Sequence, residues 1–370
     1  MYVKKVVLQN YRNYERISVP LNSGLNIFFG DNAQGKTNFI ESIYMCGTGR
    51  SHRTFKDKEV ISWNKKIAYV RTEVEKRDIS TNIEIAFFSD KPKVVKLGGL
   101  KINKLSDIFG CLNVVMFSPE DLKLVKEGPA FRRRFLDIDI SQVKPGYYYN
   151  LQQYNKILQQ RNNLLKSIKY DKSLLNTLDV WDEQLSSYGS KIVSYRAEFI
   201  NKISILAKLV HRKITSGKEE LNIYYSGSFK DGMDRDDIKE VLYKDIVNSR
   251  KNDIYRGSTS VGPHRDDIEI YVNNIDVKVY GSQGQQRTAA LSLKLSELEF
   301  MKGENGEYPV LLLDDVLSEL DINRQKYLLE NLKDIQTIIT CTSINDIIDF
   351  RKNDRYIYKV SNGSLCRVNI

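Results

Sequence analysis

The chain has 370 residues, of which 41% are hydrophobic and 28% charged, and its formal net charge is +10. A length of this order predicts two or three domains of about 150 residues each. No run approaches the ~18 apolar residues of a membrane span, the first residues lack a signal-peptide stretch, and the four scattered cysteines indicate reduced thiols, so we expect a cytoplasmic protein with no membrane partner.

The first third of the chain is predicted to be mostly strands around one helix. Alternating or apolar runs of β-forming residues predict strands at 2–8, 15–19, 25–29, 68–74 and 81–88. Two shorter runs flank Gly98 and Gly99 and predict a hairpin.

An octapeptide follows the third of these strands. Gly30-Asp-Asn-Ala-Gln-Gly-Lys-Thr37 fits G-x-x-x-x-G-K-[ST], the phosphate-cradling P-loop. Lys36 is predicted to reach the β and γ phosphates of ATP, and the Thr37 hydroxyl to ligate Mg²⁺. Apolar positions after the motif predict a helix whose N-terminus points at the phosphates. The predicted contacts are Gly30, Asp31, Asn32, Ala33, Gln34, Gly35, Lys36 and Thr37.

The middle of the chain is predicted to be helical. Apolar residues recur at spacings of three and four over 178–210, which predicts one long helix, and a helix over about 147–169 is expected to pack against it. A coiled-coil arm would need a longer sustained heptad, so an internal helical lobe is favoured.

A basic stretch is the candidate DNA-binding region. Residues 121–170 hold ten Lys or Arg against four Asp or Glu. Arg132, Arg133 and Arg134 are predicted to neutralise phosphates, and the tyrosines at 147–149 to stack on unpaired bases. A solvated helix face with internal ion pairs is the alternative. The His264-Arg-Asp-Asp267 cluster is interpreted as capping and ion pairing, with no catalytic role.

The final third supplies the remaining candidate site residues. An apolar strand over 309–313 ends in two carboxylates, of which Asp314 is predicted to ligate Mg²⁺ and Asp315 to act as general base. Ser282, Gly284 and Gln285 open a helix whose donors can bind a second anion, although a polar turn capped by Ser282 explains them as well.

Together these motifs resemble the ABC-type ATPase head. Ser282-Gln-Gly-Gln285 stands where that class has its signature, and Ser318-Glu-Leu-Asp321 follows the carboxylates as its D-loop does. The resemblance narrows to the RecF family of the SMC-like branch, and three further segments carry it: 1–14, 117–137 and 257–267. It implies an α/β fold with a mixed sheet (a parallel core plus antiparallel N-terminal strands) and an inserted helical lobe. The ATPase lobe would span 1–118 and 288–370, and the helical lobe 119–287.

The resemblance also implies a function. ATP would drive head-to-tail dimerisation, in which the signature of each chain covers the ATP bound to the other. The dimer would retain DNA until slow, DNA-stimulated hydrolysis of ATP releases it. Cooperation with RecR and RecO at single-stranded or gapped DNA is implied. Two departures stand out: Asp315 replaces the usual Glu, and residues 340–342 lack the switch His.

Four other functions fit these motifs less well. A transporter ATPase subunit would normally keep the switch His, a long-armed SMC needs hundreds of heptad residues, and a small-molecule kinase needs no signature. A fused nuclease would require an acidic cluster after residue 315, where only about fifty residues remain.

Overall fold

The structure, a computed structural model, describes residues 1–77, 79–227, 229, 232–317, 320–330, 332, 334–344 and 355–368. The chain divides into two compact units. Unit 1 comprises Met1–Asp121 and Lys294–Ile370, and unit 2 comprises Leu122–Leu293. No helix in these described ranges is long and apolar enough to cross a membrane.

The first sheet of unit 1 is antiparallel. Its described strands run in the order β2-β1-β4-β5-β6-β7. Their inward side chains alternate with outward ones, the period expected of a sheet with one buried face. The bounds are β1 Tyr2–Tyr11, β2 Tyr14–Pro20, β4 Ile67–Lys76, β5 Ile79–Phe88, β6 Val94–Leu97 and β7 Leu100–Lys101.

The second sheet of unit 1 carries the parallel core. Its described order is β15-β14-β3-β13-β12-β8, with only β15 antiparallel to its neighbour. The central strands β3, β12 and β13 are mostly apolar and almost wholly buried, as expected of parallel strands with both faces covered. The bounds are β3 Leu25–Phe29, β8 Val114–Phe117, β12 Val310–Asp314, β13 Thr337–Cys341, β14 Arg355–Ser361 and β15 Ser364–Val368.

Helix α1 (Lys36–Thr48) joins the two sheets into one core. It contacts strands of both, and Phe39, Ile40 and Ile43 are fully buried between them. Gly49 ends the helix with φ +72°, a left-handed conformation that glycine adopts without strain. The helix that follows the P-loop is thus fixed by packing on either side. Helix α9 (Ile322–Glu330) also belongs to unit 1.

Unit 2 is helical with one small sheet. Helix α5 is the longest and packs against α4, α6 and strand β9. The helices are α2 Lys123–Lys126, α3 Pro129–Val143, α4 Pro145–Ile168, α5 Leu178–Ile214, α6 Arg235–Arg256 and α7 Val277–Tyr280; α8, Gln283–Asn305, begins in unit 2 and ends in unit 1. The strands are β9 Leu221–Ser226, β10 Asp267–Val272 and β11 Ile275–Asp276.

The predicted fold class, α/β with parallel and antiparallel strands and a helical insertion, is confirmed. The antiparallel N-terminal strands form a sheet of their own, separate from the parallel core. The small sheet of unit 2 was not predicted, because the long helix α6 separates β9 from β10 and β11, joined to β10 by the turn of Asn273 and Asn274, has only two residues. All four cysteines are free thiols.

Candidate functional site

The P-loop (residues 30–37) connects β3 to α1 through two glycines that no other residue could replace without a clash. Gly30 has φ +152°, and a Cβ there would lie 2.3 Å from the carbonyl oxygen of Val360. Gly35 has φ +120°, and a Cβ there would lie 2.7 Å from Asn13 Nδ2. Between them, Asp31, Asn32 and Ala33 form an exposed turn. The backbone is therefore free to curl tightly around an anion.

Lys36 is the buried cation of this loop. Its Nζ donates to the carbonyl oxygens of Gly30 at 2.5 Å and Asp31 at 2.8 Å. Both of these partners are neutral dipoles, so neither cancels the charge. An ammonium held in this way can neutralise phosphate oxygens that enter the loop.

The residues predicted to ligate Mg²⁺ meet at the start of α1. Thr37 Oγ1 donates to Asp314 Oδ1 at 2.9 Å, which joins the P-loop to the end of β12. Burial raises the pKa of Asp314, while hydrogen bonds from Thr340 and Thr37 and the charge of Arg53 act against that rise. One hydroxyl and one carboxylate fit Mg²⁺, which usually completes its shell with phosphates and water, and a divalent cation would favour the ionised carboxylate.

Asp315 follows with a left-handed backbone. Its φ is +54°, uncommon for a residue other than glycine, and its N–H donates to Thr340 Oγ1 at 3.0 Å. Thr340 Oγ1 in turn donates to Asp314 Oδ1 at 2.8 Å. Thr340, in the segment that lacks the switch His, therefore links the two carboxylate residues. Its role escaped sequence reasoning because the contact joins two neighbouring parallel strands.

A second group of contacts missed from the sequence holds the P-loop from outside. In the β1–β2 turn, Asn13 Nδ2 donates to Gln34 O at 2.8 Å and Tyr14 OH donates to Gly35 O at 2.9 Å. From the β14–β15 turn, the Gly363 N–H donates to the same Gln34 oxygen at 3.1 Å. These turns fix the loop before any ligand is bound.

The signature loop (residues 282–285) starts α8 within unit 2. The Ser282 N–H donates to Gln285 Oε1 at 3.0 Å and the Gln285 N–H to Ser282 Oγ at 3.2 Å, a reciprocal cap. Gln285 Nε2 also donates to Glu219 Oε1 at 3.0 Å. Gly284 lies between them, and a Cβ there would be 3.8 Å from Ser282 Oγ, an ordinary contact.

Glu219 is held in turn by a buried histidine. His211 Nε2 lies 3.3 Å from Glu219 Oε2, and His211 Nδ1 lies 3.0 Å from Ser292 Oγ on α8. The Ser292 hydroxyl also donates to Thr288 O at 2.7 Å. Glu219 and His211 therefore connect the signature glutamine to α8 from behind.

The structure contradicts the prediction that Arg132 contacts DNA. Its side chain is 4% exposed, and Nε and Nη2 donate to the two Asp267 oxygens at 2.6 and 2.7 Å. Arg133 donates to the carbonyl oxygen of Asp266, and both Arg133 and Arg134 are half-buried. Phosphate contact is excluded for Arg132 and stays a prediction for the other two.

Base stacking by residues 147–149 is wrong for the first two tyrosines. Tyr147 and Tyr148 are buried, and Tyr147 OH donates to Asp137 while accepting from Arg196 Nε at 2.9 Å. Only Tyr149, 47% exposed, has an accessible ring.

Residues 262–267 form a hub inside unit 2. Asp267 pairs with Arg132, and Pro263 O accepts from Arg196 Nη1 at 2.6 Å. His264 Nδ1 lies 2.7 Å from Tyr154 OH, and Nε2 lies 3.1 Å from Thr259 O. Burial lowers the pKa of His264 to about 4, so it is neutral near pH 7, donates through Nε2 and accepts through Nδ1. These contacts agree with the interpretation of ion pairing and capping.

The predicted D-loop is only partly described. Ser318 and Glu319 lie outside the described residues. Asp321 Oδ1 accepts from the Arg324 N–H at 3.0 Å, at the start of α9.

Comparison with known proteins identifies relatives along the whole chain. The family model for the RecF/RecN/SMC N terminal domain matches residues 2–363. Curated proteins named "DNA replication and repair protein RecF" are 50% identical over 365 residues in Clostridium beijerinckii, covering 99% of this chain and 98% of the relative, and 51% identical over 367 residues in Alkaliphilus oremlandii, covering 99% and 100%.

Solved structures give the same grouping. One described as "the recombination mediator protein RecF-ATPrS in RecFOR pathway" superposes with a TM-score of 0.93 at 38% identity, covering 100% of this chain and 98% of that one. An Smc head domain from Pyrococcus furiosus, at 17% identity and a TM-score of 0.57 over 100% of this chain and 96% of that one, shares the fold.

Proposed function

The chain belongs to the RecF/RecN/SMC family and, within it, to the RecF group of DNA replication and repair proteins, and from that premise we propose that it is an ATP-gated DNA clamp. ATP binding would close two chains around each other, and DNA would be retained in the closed state. Hydrolysis would reopen it. The relatives' names favour this function over a transporter subunit.

The observation that carries the proposal is the convergence of Lys36, Thr37 and Asp314. Lys36 offers an ammonium with only carbonyl partners, and Thr37 and Asp314 touch at 2.9 Å. The first suits the β and γ phosphates of ATP, and the second suits the Mg²⁺ that bridges them. The related RecF structures described with ATP and with ATPrS support ATP as the nucleotide.

Hydrolysis is assigned to Asp315 as general base. Its left-handed backbone directs it away from Asp314, so one carboxylate can serve the metal and the other a water molecule. An Asp reaches less far than a Glu, so turnover should be slow and suit a switch. Asp315→Asn tolerates the same φ and should keep ATP binding while losing hydrolysis by roughly 10²-fold or more.

The signature loop is proposed to serve a second chain. Ser282, Gly284 and Gln285 present a helix N-terminus that can approach the γ phosphate of a partner's ATP. Tighter binding of ATP to the closed dimer would then couple nucleotide to assembly. RecR, RecO and gapped DNA are the proposed partners in the cytoplasm, in keeping with the RecFOR pathway of the related structure.

A complementation experiment tests the composite site. Ser282→Arg should leave ATP binding by the monomer intact but block closure, and Lys36→Ala should weaken ATP binding at its own P-loop. Each variant alone should lack ATP-dependent dimerisation and ATPase activity. Mixed in equal amounts, they can form heterodimers with one intact composite site, so partial activity should return.

Asn176→Arg, which adds the same cation at an exposed position of unit 2, is the matched control and should behave like the parent. If heterodimers are shown to form and remain inactive, the arrangement in trans is wrong.

A further inference from the structure

Trp63 is 95% exposed, the most exposed of the large apolar side chains in the described ranges. It sits on a turn of residues 62–65, here called the Trp63 turn, between Ile61 and β4 in unit 1. An aromatic ring loses unfavourable contact with water when a ligand covers it, so this indole is available for stacking.

The Trp63 turn is held rigidly in place. Ser62 N–H donates to Asn10 O at 2.9 Å, and Ser62 Oγ donates to Arg12 O at 2.7 Å. Lys65 N–H closes the turn on Ser62 O at 3.1 Å, and Asn64 takes the positive φ of +62° that such a turn needs. The indole is therefore displayed by a fixed backbone, which reduces the entropy lost when a ligand stacks on it.

Cations surround this turn. Lys65 and Lys66 are exposed, and no carboxylate of the described residues forms an ion pair with either. The β5–β6 loop lies beside them through a Ser89 N–H to Lys66 O bond of 3.1 Å, and it adds the exposed Lys91, whereas Lys93 of the same loop pairs with Asp57. An apolar ring flanked by unpaired ammonium groups matches a ligand that alternates aromatic faces with negative charge.

We propose that Trp63 stacks on an unpaired base of single-stranded DNA while Lys65 and Lys66 contact the flanking phosphates. The inference rests on the proposed DNA-binding function and assigns it a surface. A side chain at the tip of a turn meets the face of a base only where the base is unpaired, so the contact selects single strands and gaps over uninterrupted duplex.

The turn also adjoins the nucleotide site. Residues around the β1–β2 turn contact both the Trp63 turn and the P-loop. The carbonyl oxygens of Asn10 and Arg12 accept hydrogen bonds from Ser62, and the side chains of Asn13 and Tyr14 donate hydrogen bonds to the P-loop. The β1–β2 turn therefore connects a DNA strand stacked on Trp63 with the P-loop proposed to hold ATP.

Fluorescence tests the stacking directly. The chain has two tryptophans, so Trp181→Phe leaves Trp63 as the only indole. Titration with an oligothymidylate should quench this emission, and an abasic oligonucleotide of equal length should not. Trp63→Ala should weaken binding of oligothymidylate roughly 5- to 100-fold, and Trp63→Phe should restore most of it.

Two controls make the result specific. Tyr255→Ala removes a ring that is 81% exposed in unit 2, outside the basic stretch 121–170, and should change nothing. Replacing Lys65 and Lys66 by Gln should reduce the slope of log affinity against log salt by about 0.7 per lysine.

Equal quenching by both oligonucleotides, or an unchanged affinity in Trp63→Ala, would overturn the proposal and leave the proposed function intact. If Trp63→Ala instead abolished only the binding of a protein partner, the surface would be a protein interface and the proposal would be wrong. If the parent protein bound no DNA in any nucleotide state, the proposed function itself would fail.

Discussion

Two buried arginines of unit 2 and two lysines of unit 1 use their positive charges in opposite ways. In unit 2, Arg161 and Arg196 are buried against carboxylates, with Arg161 Nε 2.6 Å from Asp182 and Arg196 Nη2 2.8 Å from Asp137. In unit 1, Lys36 meets only carbonyl oxygens within hydrogen-bonding distance, and Lys65 is exposed. In the first arrangement the cations form ion pairs inside the protein, and in the second they remain available to ligands.

The difference teaches how a basic residue is to be judged. A buried arginine is tolerated only with partners, so the nearest carboxylate decides whether its charge can reach a ligand. Arg161 and Arg196 therefore serve the interior of unit 2, whereas Lys36 of unit 1 keeps a charge that a ligand can meet. Each prediction below removes one such contact.

The largest effect is expected at Arg161. This fully buried guanidinium donates to Asp182, Asp253 and Thr259. Arg161→Met leaves two buried carboxylates short of a cation and should lower the free energy of unfolding by about 3–5 kcal/mol in chemical denaturation. Arg250→Met removes a partly exposed neighbour of Asp182 and should cost about 1 kcal/mol. If Arg161→Met lowered the free energy of unfolding no more than Arg250→Met, the buried ion pairs of Arg161 would not stabilise unit 2 as expected.

A pH-dependent loss of stability is expected from His264. Its pKa is about 4 in the folded chain and about 6.5 when unfolded, so the unfolded state binds more protons between these values. Stability should therefore fall as pH drops from 6.5 to 4, by up to about 3 kcal/mol. Arg265 and Arg133 oppose the charged imidazole, and Asp253 favours it.

His264→Gln should flatten the pH dependence over this window relative to the parent. The comparison at each pH cancels the contribution of Asp266, whose pKa is raised by burial. Parallel curves for the two proteins would show that the fold does not lower the pKa of His264.

The P-loop half of the site could be predicted from sequence because its residues are contiguous. One octapeptide contains the two glycines, Lys36 and Thr37. The apolar run before Asp314 likewise predicts β12. The inward role of Arg132 could not be predicted, because Asp267 lies 135 residues away along the chain. The contacts of Thr340 and Glu219 could not be predicted either, because they depend on the order of strands in the sheet and on the packing of helices rather than on a local sequence pattern.

Lys36→Ala tests the outward role of unit 1. Loss of a charge-assisted contact to phosphate should weaken ATP binding roughly 10- to 100-fold in calorimetry, about 1.5–3 kcal/mol. Lys4→Ala removes an exposed lysine of β1 that pairs with Glu75 and serves as the control. Equal affinities in Lys36→Ala and the parent would remove Lys36 from the nucleotide site.

The smallest effect is expected at Glu219, where the polar interior of unit 2 meets the signature loop. Glu219→Ala deletes the acceptor for Gln285 Nε2 and the carboxylate beside His211. ATP affinity of the monomer should stay unchanged, while hydrolysis by the dimer should fall roughly 5-fold, about 1 kcal/mol for one hydrogen bond. Glu220→Ala, next in the chain and paired with Lys208, is the control. Glu219→Gln keeps an oxygen that can accept from Gln285 Nε2, so it should restore most of the hydrolysis. If Glu219→Gln instead hydrolysed ATP as slowly as Glu219→Ala, the carboxylate would act through its charge and not by orienting Gln285.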